Sequence, residues 1–447
     1  MEKGVFLLSP SSIDVILRRI GFGVYQVKVF FCLAWLSVTI GAQIKTIPLV
    51  SKILEDNWQL NDLEAGLLAG ILFLGMILGT FVSGPVACKL GRKLSLVAGT
   101  GSLFVLGLTS AYMPEFWSYL FLRMLLGVAI GFLIPLQTAY ETELNTFRNK
   151  GSFVIGPFLF LQTGMLFIVL VALWLTPELD SGNWRELIVF ASLPSGISLA
   201  FQLLWVDESP RYAAESQKFE YAKFILNKIA KTNKALFLNE EELKIVTETK
   251  EAPKEPLKKK FSQLLCKKYN KVTWSLFWLY FVSGFVYYGT VFILPRTLFS
   301  GETLEDLAVI HSTIPVAIVP CFFVNLESFV TATKLMLCIG LQTLGCFVCI
   351  FVISEIEFVV LVALIIYLDL LFFNFVSFYA SKLYDSEVRS LAANLSNTWT
   401  QLAGFLAPFT LLSLHYLGEA YPYALICFTS LLGFVTCTIL SYQKIQT

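Results

Sequence analysis

The stretch Asn183–Tyr212, NWRELIVFASLPSGISLAFQLLWVDESPRY, decides how the rest of the chain is read. It opens on a polar turn and stops abruptly on Asp207-Glu208-Ser209-Pro210-Arg211. Between the two lie about twenty mostly apolar residues, enough to carry a helix across a bilayer core roughly 30 Å thick. The longest polar segment follows, with further apolar runs on both sides of it. One membrane crossing therefore implies many.

Composition agrees. Of 447 residues, 56% are hydrophobic and 15% charged, where a soluble chain carries about 25% charge. The 40 phenylalanines point the same way, because a lipid-facing helix needs no polar face. A net charge of +1 gives no reason to expect a nucleic-acid partner. Residues 1–26 mix Ser9, Pro10, Asp14, Arg18 and Arg19 and lack the continuous apolar core of a cleavable leader. The nine cysteines (Cys32, Cys88, Cys266, Cys321, Cys338, Cys346, Cys349, Cys427 and Cys437) fall in predicted spans or on the side assigned to the cytoplasm, which argues against a disulfide framework. Cys346 and Cys349 have redox or metal spacing, but they lie inside an apolar span with no second ligand pair nearby.

The hydropathy pattern predicts an all-α polytopic membrane protein of twelve transmembrane helices in two six-helix halves. The spans are 27–50, 64–87, 94–112, 116–140, 152–176, 186–206, 273–294, 304–325, 334–353, 357–381, 392–414 and 421–441. This gives an N-terminal segment 1–26, a first half 27–206, a central loop 207–272, a second half 273–441 and a tail 442–447. With both termini inside, 28 of the 33 Lys and Arg residues fall on the cytoplasmic side, as the positive-inside rule requires. Lys45, Lys52, Arg185 and Arg296 lie on or near the other side, and Arg123 lies within span 4. In the central loop, Phe219, Ala222, Ile225, Leu226 and Ile229 form one apolar helical stripe. Asn239 and Glu242 read as a capping pair. Pro253 and Pro256 then precede the basic run Lys258-Lys259-Lys260. A solvated helix pair linking the halves is the plain reading of this loop, and a regulatory or lipid-binding role the other.

Between spans 2 and 3 lies Gly84-Pro-Val-Ala-Cys88-Lys-Leu-Gly91-Arg92-Lys93. It resembles the loop motif G-x-x-x-D-R-x-G-R-R/K of the major facilitator superfamily, with Cys88 in place of the Asp. Glycines there permit a tight turn and close helix approach, and the basic residues meet carboxylates across a cytoplasmic gate. Trp184-Arg185, the mid-span Pro194 and Glu208-Ser-Pro-Arg211 are similar to span 6 of that superfamily. Glu143, with Gly151 eight residues on, resembles E-x-x-P-x-x-x-R-G, with Thr146 for the Pro and Lys150 for the Arg. In span 4, Gly127 and Gly131 share a face and permit close helix packing. Phe261-Ser-Gln-Leu-Leu and Tyr287-Tyr288-Gly289 look like the branch of organic ion transporters and synaptic vesicle 2-related proteins. In the second half, Tyr379 to Arg389, with Gly404 and Pro408, resembles that branch's Y-x-x-E-x-x-P-T-x-x-R and G-x-x-x-P, with Lys382 for the Glu and Asp385 for the Pro. Asn325 to Lys334 lacks a second Gly-Arg-Arg loop.

The resemblance implies a solute site near mid-membrane between halves that rock against one another. Intramembrane ionisable groups are expensive, so each demands a reason. Asp369, about eleven residues into span 10, is too deep to snorkel. It reads as proton carrier or counter-ion, or else as a buried neutral or structurally paired carboxyl. Lys45 in span 1 is expected to meet an anionic substrate, to pair with Asp369, or to snorkel from about five residues inside the outer end. Gln43, Gln162, Tyr287, Tyr288 and Asn374 are candidate cavity hydrogen-bonders or packing contacts, and His311 in span 8 a candidate titrating switch. Gly84, Gly91, Arg92, Glu143, Arg148, Glu208, Arg211 and Arg389 form the expected cytoplasmic gate, or static surface pairs. Asn394-Leu-Ser396 fits a glycosylation pattern inside a span and is expected to be unmodified.

The reading is a secondary-type carrier moving a small organic solute, expected to carry charge, by alternating access, alone or coupled to protons or another ion. The alternative is a transporter-derived membrane scaffold that no longer transports, favoured by Cys88, Lys382, Asp385 and the missing loop motif. No nucleophile–base set, metal cluster or cofactor motif is visible, so the chain does not read as an enzyme. Likeness to vesicle proteins points to a vesicular or plasma membrane.

Overall fold

The computed structural model describes residues 12–144, 150–175, 182–235, 257–266, 269–297, 332–352, 355–384, 386–415, 417–418 and 420–445. The expectations on Arg148, Asn239, Glu242, span 8 with His311 and Cys321, and the side chains of Lys382 and Asp385 lie outside the described residues.

A short amphipathic helix, α1 (Ser12–Ile20), precedes six long ones: α2 (Val24–Trp58), α3 (Asp62–Leu90), α4 (Arg92–Ser110), α5 (Phe116–Leu144), α6 (Lys150–Leu175) and α7 (Trp184–Trp205). The central segment contributes α8 (Pro210–Glu215), α9 (Phe219–Thr232) and α10 (Leu257–Leu264). Then come α11 (Asn270–Thr297), α12 (Ala332–Cys349), α13 (Glu355–Leu383), α14 (Ser386–His415) and α15 (Ala420–Ile445). Eight of the described helices are long and apolar enough to cross a bilayer. The protein is a multi-pass integral membrane protein.

The helices overrun the apolar runs that announce them. Expected to end at residue 50, α2 continues through the polar Glu55-Asp56-Asn57 to Trp58 and stops where Gln59 takes a left-handed conformation. Its 35 residues at about 1.5 Å each exceed a bilayer core, so one end stands clear of the apolar slab. Asn61 starts α3 with a reciprocal cap, accepting from the Glu64 amide at 3.0 Å while Glu64 accepts from the Asn61 amide at 3.0 Å.

Backbone contact through glycine ties the first half together. Gly75 and Gly79 of α3 face Gly127 and Gly131 of α5, and a Cβ at any of the four would run into a backbone carbonyl of the other helix. In a bilayer, where no hydrophobic effect drives one helix onto another, such close van der Waals approach does the work. The halves meet chiefly where α3 packs on α14. That seam runs from Gly66 against Phe409 to Thr80, whose hydroxyl lies 3.4 Å from the Gln401 amide.

At the end of the bundle carrying the central segment, called the loop end below, the apolar stripe of α9 is buried through Ala222, Ile225, Leu226 and Ile229. Its partner is α1, which buries Ile13, Ile16, Leu17 and Ile20. Asn233 closes the junction. It accepts from the Tyr25 amide at 2.9 Å and donates to the Gly21 carbonyl and Gln26 side chain at 3.1 and 2.8 Å.

Candidate functional site

Where the two halves face each other, a cleft is walled by Ile44, Ile47 and Pro48 of α2, Ala69, Leu72 and Phe73 of α3, and Met165 of α6. The second half supplies Tyr287, Tyr288, Val291 and Phe292 of α11 with Gly404 and Pro408 of α14. It is closed down to about 20 Å³, room for little more than a water molecule.

Aromatic rings and a few hydrogen-bonding groups make up its chemistry. The Phe73 and Tyr288 rings meet across the halves at 4.4 Å, and Tyr287 lies edge-on to Tyr288 at 5.1 Å. The Gln162 amide donates to the Tyr287 hydroxyl at 3.0 Å, and that hydroxyl also reaches the Met165 sulfur at 3.1 Å. Both cleft prolines sit inside helices. A proline has no N–H, so the carbonyl four residues earlier loses its helical partner. Those carbonyls belong to Ile44 and Gly404, and both residues line the cleft. The wall thus offers two freed backbone acceptors and the hydroxyls of Tyr287 and Tyr288 among rings, with the Gln162 amide beside Tyr287 and no charged side chain in the lining.

The intramembrane charges lie behind that wall. Asp369 on α13 is fully buried, accepting from Ser283 of α11 at 3.1 Å and Gln342 of α12 at 3.0 Å. It joins three helices inside the second half rather than facing the cleft directly. Lys45 is fully buried, and its amine has no hydrogen-bond partner among the described residues; it does not snorkel and does not meet Asp369. Gln43 points into the first half, donating to the Ala191 carbonyl and Ser192 hydroxyl at 3.2 and 3.1 Å. Asn374 turns back on its own helix, donating to the Leu370 carbonyl at 2.7 Å.

Two buried ionisable groups are not among the site residues expected from the sequence. Arg123 of α5 donates to the Tyr119 hydroxyl at 2.8 Å and to Gln43 at 3.4 Å, and one of its guanidinium nitrogens has no hydrogen-bond partner among the described residues. The signal was present, an arginine seven residues into an apolar helix, and depth alone qualified it. Glu141 is buried near the loop end of the same helix, receiving a 3.1 Å hydrogen bond from Gln137, which also bonds Ser37 of α2 at 2.9 Å. Its spacing to Gln137, one helical turn away, was the available clue.

The expected gate residues divide. Arg92 and Glu143 form an ion pair at 2.7 Å with both side chains mostly buried. Glu208 accepts from the backbone amides of Arg92 and Ser209 at 2.7 and 2.9 Å, capping α4. Gly91, at φ +91°, makes the turn between α3 and α4, and a side chain there would strike the Glu208 carboxylate. Arg211 departs from the expectation. It pairs with Asp14 of α1, because α8 turns it toward that helix rather than toward the opposite half. Arg389 donates to the Tyr384 carbonyl at 3.2 Å within the second half. Gly84 faces open space and is not a close-approach position here. Among the described residues, no ion pair joins the two halves.

Two helical halves closing on a mid-bundle cleft define the major facilitator fold, a fold of membrane carriers. This chain belongs to the sugar (and other) transporter family, whose model matches residues 29–443; that is a family of transporters, not of enzymes. Over 92% of its length the chain superposes on the partially occluded inward-open xylose transporter XylE from E. coli, covering 96% of that chain with a TM-score of 0.71 at 15% identity. It is 29% identical over 223 residues to organic cation/carnitine transporter 7 of Arabidopsis thaliana, covering 50% of this chain and 44% of that protein. To synaptic vesicle glycoprotein 2B of Mus musculus it is 27% identical over 230 residues, covering 49% and 34% respectively. The chain thus spans less than half the length of these curated relatives.

Proposed function

We propose that this protein is a secondary carrier that passes a small organic cation with an apolar body through the cleft between its halves by alternating access. The observation that carries this reading is the composition of the cleft: aromatic rings from both halves around freed carbonyl acceptors, with no lysine or arginine in the lining. A cation gains from ring faces and carbonyl dipoles, whereas an anion would find as donors only the neutral hydroxyls of Tyr287 and Tyr288 and the Gln162 amide beside them. Asp369, one layer behind Tyr287 and Tyr288, is the group we assign to charge balance or proton coupling. The name of the plant relative, an organic cation/carnitine transporter, is in keeping with this choice.

We take 27–206 and 273–441 as the moving halves, and the loop end, rich in Lys and Arg, as the cytoplasmic one. A vesicular or plasma membrane fits the likeness to synaptic vesicle glycoprotein 2B. A non-transporting scaffold is the second reading, supported by Cys88 in the gate loop and by the lack of described ion pairs between the halves.

The test is thermal stabilisation of the purified protein by a panel of organic cations, anions and neutral solutes, since a ligand that binds the folded state raises its melting point by mass action. Cation hits followed by uptake into proteoliposomes support the carrier. Stabilisation by anions alone would sink the cation assignment, and a hit without any uptake would favour the scaffold.

A further inference from the structure

An open cleft of about 250 Å³ lies at the loop end, outside the helix bundle's centre, between the ends of α4 and α7 and the helices α8 and α9. Its lower wall is apolar and faces outward from the bundle: Leu94 of α4 is 54% exposed and Leu203 of α7 is 55% exposed. Its upper edge carries Lys93 and Lys218 beside the rings of Tyr212 and Tyr221. Neither lysine takes part in an ion pair among the described residues. The one acid in the lining, Glu208, is occupied by the amides of Arg92, Lys93 and Ser209.

Next to the cleft, α9 presents an outward pair of stacked rings, Tyr221 and Phe224, tilted by 10°. Phe224 is 62% exposed although α9 already buries its apolar stripe on the other side. Exposed aromatics beside basic residues, level with the end of two membrane-crossing helices, are what a helix at the bilayer interface displays.

We infer that this cleft is a binding site for an anionic phospholipid of the leaflet on the loop side. The phosphate sits between Lys93 and Lys218, the glycerol region lies under Tyr212 and Tyr221, and an acyl chain follows Leu94 and Leu203 down the outer face of the bundle. Charge complementarity selects the lipid: two uncommitted cations at the head, apolar surface below. Bound there, one lipid bridges the start of α4 to the α8–α9 cap and so couples membrane composition to the turn held by Gly91 and Glu208.

Native mass spectrometry of the full-length detergent-purified protein tests this, using phosphatidylserine and phosphatidylcholine with identical acyl chains. Wild type should retain phosphatidylserine in preference, and Lys93→Ala/Lys218→Ala should lose that preference by on the order of tenfold, as expected for two membrane-proximal cations. Lys218→Gln, a change at an exposed position, should lose part of it without changing the melting point. Undiminished preference in both variants overturns the inference. So does displacement of the lipid by inorganic phosphate at equal concentration, which would make the site one for a soluble anion.

Discussion

Gln162 and Tyr287 hydrogen-bond each other across the junction of the two halves, with the amide nitrogen 3.0 Å from the phenolic oxygen. They come from α6 and α11, 125 positions apart, and theirs is the polar contact inside an otherwise apolar cleft. On the proposed mechanism, in which the halves move against each other, such a bond forms in one state and is exchanged in another, and the same atoms would hold the closed cleft and meet a solute when it opens.

Replacing Tyr287 by Phe removes this bond while keeping the ring. A neutral hydrogen bond contributes about 1 kcal/mol, so a hydroxyl that gives this bond to the bound solute should, when removed, lower solute affinity roughly fivefold. Titration of the melting point with a panel hit measures it. Unchanged affinity would remove Tyr287 from the solute site.

Asp369→Asn should fold, because an asparagine carbonyl can still accept from Ser283 or Gln342, and should abolish the response to solute. Uptake and thermal shift are read side by side with wild type. Full retained uptake would leave Asp369 as a structural pin of α11, α12 and α13.

Arg92→Gln leaves the mostly buried Glu143 carboxylate without its ion-pair partner, and one of its oxygens already lacks a hydrogen bond among the described residues. Losing one partner of a buried pair costs about 3 kcal/mol. Adding Glu143→Gln should recover much of the loss, and a double-mutant cycle on melting temperatures checks the coupling. Strict additivity of the two changes would show that the pair contributes nothing as a pair.

Gly131→Ala should destabilise severely, by about 2 kcal/mol or more, because the added methyl meets the Met76 carbonyl and overpacking has that cost. Gly84→Ala should be neutral or stabilising by up to about 1 kcal/mol, since a methyl there meets open space and alanine favours helix. Yield of folded protein on size-exclusion chromatography separates the two outcomes.

Asp14→Ala should loosen α1, whose contact with Arg211 joins it to α8. Hydrogen exchange over residues 13–20 should speed up while α9 keeps its protection at Ile225 and Ile229. Unaltered exchange in α1 would show that its apolar face alone holds it.

The sequence was most legible where a single segment carried the signal. Twenty-residue apolar runs announced the spans, and Gly127 with Gly131 announced a close-packing face. Gly91-Arg92, Glu143 and Glu208 are named together by motif, and they meet where the ends of three loops converge. Legibility failed where the answer depended on rotation about a helix axis. Depth alone leaves Asp369 open between a cleft role and structural pairing, and Gln43 and Asn374 open between cavity and packing contacts; only the assembled bundle turns Asp369 into its own half and satisfies Gln43 through α7 and Asn374 through α13 itself. Arg123 is placed within span 4 by the sequence but not weighed there as a buried charge, and Arg211 is assigned to the gate by motif although Asp14 lies 197 positions away.

By itself, the sequence determined that this chain is an all-helical, multi-pass membrane protein. A bilayer offers no partner for backbone polar groups, so a long apolar run has helix as its stable form. Tertiary structure decided which face of each helix meets which neighbour, and with it the aromatic cleft, the burial of Asp369 and Arg123, and the docking of α1 on α9. In water an amphipathic stripe writes that choice into the sequence. In lipid both faces of a helix are apolar, so the choice falls to glycine contacts and scattered hydrogen bonds that only the assembled bundle brings together.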